Sequence, residues 1–122
     1  MTSSTDVQPT DLQKRLELFH ELDFEGFNKQ NWDLFRSLHT DDVVVEINGT
    51  RTDGIDPHVE GGKQLFAALP DTVITDHLIK FGDGEWTCTV SRIENMGKPE
   101  SKLVTVARWR GDQVSEEYIF WA

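Results

Sequence analysis

The sequence predicts an α+β fold: three helices packed on a strongly curved, mostly antiparallel sheet, in the shape of a cone-like α+β barrel. Three observations predict it. Residues 72–81, 85–94, 103–109 and 113–121 are four strand-like runs joined by short connections that carry Gly, Asp or Pro. Residues 11–28 and 57–69 carry apolar groups at helical spacing. Between these helical stretches lies one short β-branched run, residues 42–47. An antiparallel meander buries one face, and the helical half of the chain must cover it.

The first helix is predicted over residues 11–28. Thr10 and Gln13 form a capping-box pair, and Asp11 suits the positive end of the helix. Leu12, Leu16, Phe19, Leu22 and Phe27 make its apolar stripe. Asn31 is the N-cap of a short second helix that presents Trp32, Phe35 and Leu38, and residues 39–42 end it. Residues 48–56 read as a loop. Pro57 and His58 open a third helix, Gly61 and Gly62 weaken its first turns, Leu65, Phe66 and Leu69 form its stripe, and Pro70 stops it. In the meander, Gly82-Asp83-Gly84 and Arg110-Gly111-Asp112 are hairpin turns, because such turns need residues that accept positive φ. Residues 95–101 form the middle connection.

Composition narrows the function. A chain of 122 residues makes one domain, here residues 10–122, preceded by a disordered tail over residues 1–9. The formal net charge of −10 excludes nucleic acid, whose phosphates require Lys and Arg, and excludes an anionic membrane surface. No apolar run reaches the ~20 residues of a membrane span. The N-terminal residues have neither the basic region nor the apolar core of a secretory leader, so a cytoplasmic location is expected. The single cysteine, Cys88, lies in a strand run and is expected to be a packing residue.

Four stretches carry a family resemblance. They are residues 31–34 leading into 41–45; Gly54 to Phe66, with His58 inside it; Leu69-Pro70-Asp71 with residues 81–87; and residues 105–109 with 114–121. In element order and motifs the chain resembles the SnoaL-like polyketide cyclases, or ester cyclases, of the nuclear-transport-factor-like superfamily. Ketosteroid isomerase and limonene epoxide hydrolase belong to the same superfamily. The resemblance implies an open cone that holds a small hydrophobic molecule, no cofactor, and a homodimer formed through the outer face of the sheet. The departures are specific. Relatives carry an aspartate after the last aromatic pair, where Ala122 stands here. The base aspartate of ketosteroid isomerases falls on Ile47, and the acid of their oxyanion hole near Thr105. Ile has no basic atom and Thr is not an acid at neutral pH, so steroid-type isomerisation is disfavoured.

Strand parity sorts the candidates. With Ile47 facing the cavity, Val45 and Val43 face it too, and Glu46 points away. In residues 85–94 one face holds Trp86, Cys88, Val90, Arg92 and Glu94, and the other holds Thr87, Thr89, Ser91 and Ile93. The first is more apolar and is expected to face the cavity. Arg92-Ile93-Glu94 resembles the Arg-x-Asp pair of limonene epoxide hydrolases. Residues 105, 107 and 109 share a face of their strand, so the expected pocket is lined by Trp32, Phe35, Val45, Ile47, Trp86, Arg92 and Trp109. Of the histidines, His20 and His39 read as surface or capping groups. His58 stands at the start of a helix and His77 lies mid-strand, and either suits proton transfer near neutral pH. No Cys/His spacing suggests a metal, and no nucleophile, phosphate-loop or dinucleotide motif occurs. The expected function is cofactor-free acid–base catalysis, as a cyclase, isomerase or hydrolase, on a hydrophobic carbonyl-bearing molecule. His77, His58, Arg92 and Glu94 are its candidate catalytic groups. The alternative is a non-catalytic ligand-binding or dimerisation module, motivated by the replacement of the carboxylates that relatives use.

Overall fold

The computed structural model describes residues 11–99 and 101–121. The expected tail, the Thr10 half of the capping box and Ala122 lie outside the described residues. The element order is α1 (Asp11–Glu21), a π-helical continuation (Leu22–Phe27), α2 (Trp32–Ser37), β1 (His39–Ile47), β2 (Thr50–Asp53), α3 (Ile55–Ala68), β3 (Val73–Asp83), β4 (Trp86–Glu94), β5 (Ser101–Arg110) and β6 (Gln113–Trp121). The strands form one six-stranded sheet in the order β2-β1-β6-β5-β4-β3. All neighbours are antiparallel except β1 and β6, which run parallel. The sheet is curved but not closed into a barrel; β2 and β3 are its free edges. None of the described helices is long and apolar enough to cross a membrane.

The local rules explain most boundaries. Asn31 caps α2, its Oδ1 accepting from the Leu34 amide at 3.2 Å. The two hairpins turn at Gly84-Glu85 and Gly111-Asp112, with Gly84 and Gly111 at φ of +59° and +62°. The segment read as a loop holds a short strand, β2, whose polar residues pair with β1 at the sheet edge. The first helix does not stay α-helical to residue 28. From Leu22 it widens, and the Asn28 amide reaches back five residues to the Asp23 carbonyl at 2.9 Å. Such π segments are rare and are frequently found at functional sites.

The core lies between the helices and the concave face of the sheet. Phe19 and Leu22 of the first helix, Phe35 and Leu38 around α2, Val59 of α3, and Val43, Val45, Ile74, Ile93, Ala107, Trp109 and Val114 of the sheet are buried together. The inward face of β5 holds Leu103, Thr105, Ala107 and Trp109, as its parity predicts. The parity expected for β4 is reversed. Thr87, Thr89, Ser91 and Ile93 face inward, and Trp86, Cys88, Val90, Arg92 and Glu94 do not. Register is the cause. Thr87 stands opposite Ala107, Thr89 opposite Thr105 and Ser91 opposite Leu103, and residues directly opposite share a face. The buried Thr87 hydroxyl then accepts the Trp109 indole N–H at 2.9 Å, so the polar face is satisfied inside. Cys88 is therefore a half-buried group on the outer face rather than a core residue, and burial still pushes its thiol pKa up.

Candidate active site

Between α3, the first helix and the sheet lies a cavity of about 200 Å³. Its walls are mainly apolar, with Phe19, Leu22, Phe27, Phe35, Ile47, Ile74, Ile93 and Ile119 among them. Three ionisable groups interrupt this lining: Asp23, His58 and Glu117.

Glu117 is 3 % exposed and sits on β6 in phase with Ile119, which places it inward. Its Oε1 meets His39 Nε2 at 2.7 Å and His58 Nε2 at 3.0 Å. His39 is fixed from its other side, Nδ1 lying 2.6 Å from the Phe35 carbonyl oxygen. A carbonyl only accepts, so Nδ1 carries a proton. Facing an ionised carboxylate, Nε2 must carry one too, and His39 is an imidazolium. Its pKa is accordingly raised: burial opposes the charge, but Glu117 and the Phe35 carbonyl outweigh it. Glu117 is held far below the usual carboxylate range. Burial works against its charge, and His39, with His58, more than offsets this. His58 donates Nε2–H to the same oxygen, and its Nδ1 has no hydrogen-bond partner among the described residues. The Phe35 ring, 4.5 Å from His39 and 5.0 Å from His58 between centroids, fixes both imidazoles.

Asp23 is supplied by the π-helical segment and is buried. Its Oδ2 lies 2.8 Å from His77 Nε2 of β3. Burial raises its pKa more than the His77 hydrogen bond and charge lower it, and the negative charge of Glu117 adds to the rise. The opposite nitrogen of His77, Nδ1, is buried without a partner, among the rings of Phe19, Phe24 and His20. The cavity thus presents two carboxylates whose surroundings drive their acidities apart, the arrangement that separates an acid from a base.

His39, His58 and Glu117 are also the one group among the described residues whose ligand atoms lie close enough, within 4.8 Å, to be considered for a metal ion. The contacts of 2.7 and 3.0 Å at Glu117 are those of shared protons. Two ligands each ~2.0–2.1 Å from a tetrahedral ion stand roughly 3.3 Å apart. The set as arranged fits protons.

Several expected site residues lie elsewhere. Phe35 and Ile47 line the cavity. Val45 is buried in the core behind it and Trp109 is buried against Thr87; neither lines the cavity. Trp32 meets the Phe35 and Phe66 rings edge-on and packs against Gly62 on α3. Trp86 is on the outer face, beside Tyr118 and beneath Arg108. Arg92 pairs with Asp76 at 2.9 Å on the outer side of the β3–β4 ladder, and Glu94 is exposed at the end of β4. The reversed parity of β4 carries all three of Trp86, Arg92 and Glu94 away from the cavity. His58 and His77 stand in carboxylate pairs whose other members, Glu117 and Asp23, the sequence reading passed over. His39, read as a capping group, is buried at the start of β1.

Comparisons with known proteins agree with this fold. No curated protein matches the chain. Among solved structures, a candidate SnoaL-like polyketide cyclase from Jannaschia superposes with a TM-score of 0.81 at 18% identity, over 95% of this chain and 90% of that one. A candidate ketosteroid isomerase from Kribbella flavida gives 0.78 at 21% identity, over 93% and 81%. IdmH, a candidate polyketide cyclase from Streptomyces antibioticus, gives 0.76 at 19% identity, over 88% and 91%. The model of the SnoaL-like domain matches residues 23–117, a span that opens on Asp23 and closes on Glu117, and the chain belongs to the SnoaL-like domain family.

Proposed function

We propose that this protein performs acid–base catalysis, as a cyclase or isomerase, on a small hydrophobic carbonyl-bearing molecule held in the cavity. One observation carries the reading. An apolar cavity contains both a carboxylate kept ionised, Glu117, and a carboxylate whose acidity is suppressed, Asp23, each hydrogen-bonded to a histidine. In this reading His58 Nδ1 removes a proton from carbon beside the carbonyl. The imidazolium that forms is stabilised by Glu117, which His39 holds in place. Asp23, with His77 behind it, donates to the carbonyl oxygen as negative charge develops there. The apolar walls exclude water and strengthen both interactions. Arg92 and Glu94 take no part. The working unit is a homodimer joined through the outer face of the sheet.

Deuterium exchange tests the chemistry without a known product. Small apolar ketones that raise the melting temperature are incubated with the protein in D2O, and α-deuteration is followed by NMR. His58→Phe is expected to slow exchange by about 10²-fold or more, and Arg92→Ala to leave it unchanged. Ketones that bind but exchange no faster than in buffer would make the chain a binding module instead.

A further inference from the structure

We infer that Gly61 forms the entrance to the cavity, its missing side chain keeping the site open to an uncharged, largely apolar molecule. The inference rests on the cavity being a ligand site, as proposed above. Helix α3 carries Gly61 and Gly62 side by side in its interior. A glycine there is less stable than an alanine, so each calls for a reason. For Gly62 the reason is packing. A Cβ at that position would lie 2.6 and 2.9 Å from Cη2 and Cζ3 of Trp32, so the indole fills the space.

Gly61 has no such reason. A Cβ built there meets nothing within 4 Å, and the backbone is not in the left-handed region. Alanine would fit and would strengthen the helix. The position of Gly61 supplies the missing reason. Pro57, Gly61 and Leu65 follow one another at intervals of four, so they stack along one face of α3, and all three border the cavity. Pro57 and Gly61 are exposed and Leu65 is half-buried. The row therefore leads from solvent into the cavity with a gap at its middle. The half-exposed walls contributed by the sheet, Ile47, Thr52 and Trp121, come from β1, β2 and β6. Nothing charged is contributed by the Pro57–Gly61–Leu65 row, which suits an uncharged visitor.

The test uses N-phenyl-1-naphthylamine, an uncharged dye that fluoresces in apolar surroundings, with stopped-flow mixing. Methyl NMR signals of Ile74, Ile93 and Ile119 locate the dye in the cavity they line. Gly61→Leu is expected to slow association at least tenfold. Gly61→Ala should slow it little and raise the melting temperature by about 3–5 °C. If Gly61→Leu takes up the dye at the wild-type rate while the same methyl signals shift, the entrance is elsewhere. A lower melting temperature for Gly61→Ala would show that packing requires the glycine, and would remove the argument. If the dye never shifts those signals in the wild-type protein, the ligand-site reading itself fails, and the entrance with it.

Discussion

Glu117 is gripped by two histidines, but the two are not equivalent. His39 is fully buried and its charge has no solvent to fall back on, whereas the His58 side chain keeps 11% of its surface exposed. Removing one partner of a buried ion pair costs about 3–5 kcal/mol. His39→Ala should lose that much in urea denaturation at pH 7, and His58→Ala clearly less. The pH dependence follows from the shifts. Glu117, with its folded pKa depressed, stabilises the protein above ~4.3, and this is lost as pH falls through the folded value. His39, with its folded pKa raised, stabilises below ~6.5, and this is lost as pH rises through the folded value. Asp23 behaves in the opposite sense to Glu117: its contribution is present below ~3.9 and disappears as pH rises through its raised value. Asp23→Asn should therefore stabilise the protein at pH 7 and, on the proposed mechanism, impair exchange, a trade of stability against activity. Denaturation repeated near pH 3.5 should show the gain gone. Asp23 was legible, since it falls four residues after Phe19 on the apolar stripe of the first helix. Glu117 was legible as well, in phase with Ile119. His39 was not: the alternation of β1 breaks at residues 39–42, where two buried residues precede two exposed ones.

At the scale of elements, turns and caps were readable because they depend on one or two residues. Asn31, Gly84 and Gly111 announce themselves. The strand β2 did not, since a four-residue polar edge strand has no apolar period to detect. The face of β4 was misread for a different reason. Its two faces differ in polarity, yet its orientation is decided by pairing with β5, which depends on register across the middle connection. Turned inward by that register, the polar face is satisfied there, with Thr87 accepting from the Trp109 indole. Thr87→Val keeps the shape but strands the Trp109 indole N–H, and should cost about 1–3 kcal/mol in thermal denaturation. Serine at this position would retain most of that.

The apolar face of the sheet that turned outward defines the molecule as a whole. Ile79, Phe81, Trp86 and Phe120 are 55%, 58%, 37% and 47% exposed. So many large apolar groups on one sheet face support the homodimer proposed above. Charges of both signs stand among them, Arg108 bridging Glu85 and Glu116, which suits the self-complementary contact of a two-fold dimer. Light scattering at micromolar concentration is expected to give twice the chain mass, and Phe120→Glu to give the monomer. A wild-type monomer would overturn the dimer.

The parallel pairing of β6 beside β1 has a consequence in time. His39 and Glu117 are 78 residues apart in the chain, and β6 must slot between β1 and β5 before they can meet. Contacts this distant form slowly, because the closure entropy is spent before the contact returns anything. A nascent chain leaving the ribosome can already hold the α1–α3 segment and the β1–β2 hairpin, with two histidines waiting and no carboxylate between them. The His39–Glu117–His58 cluster closes only after β6 arrives, so a chain stopped before that strand lacks it however well its first half folds.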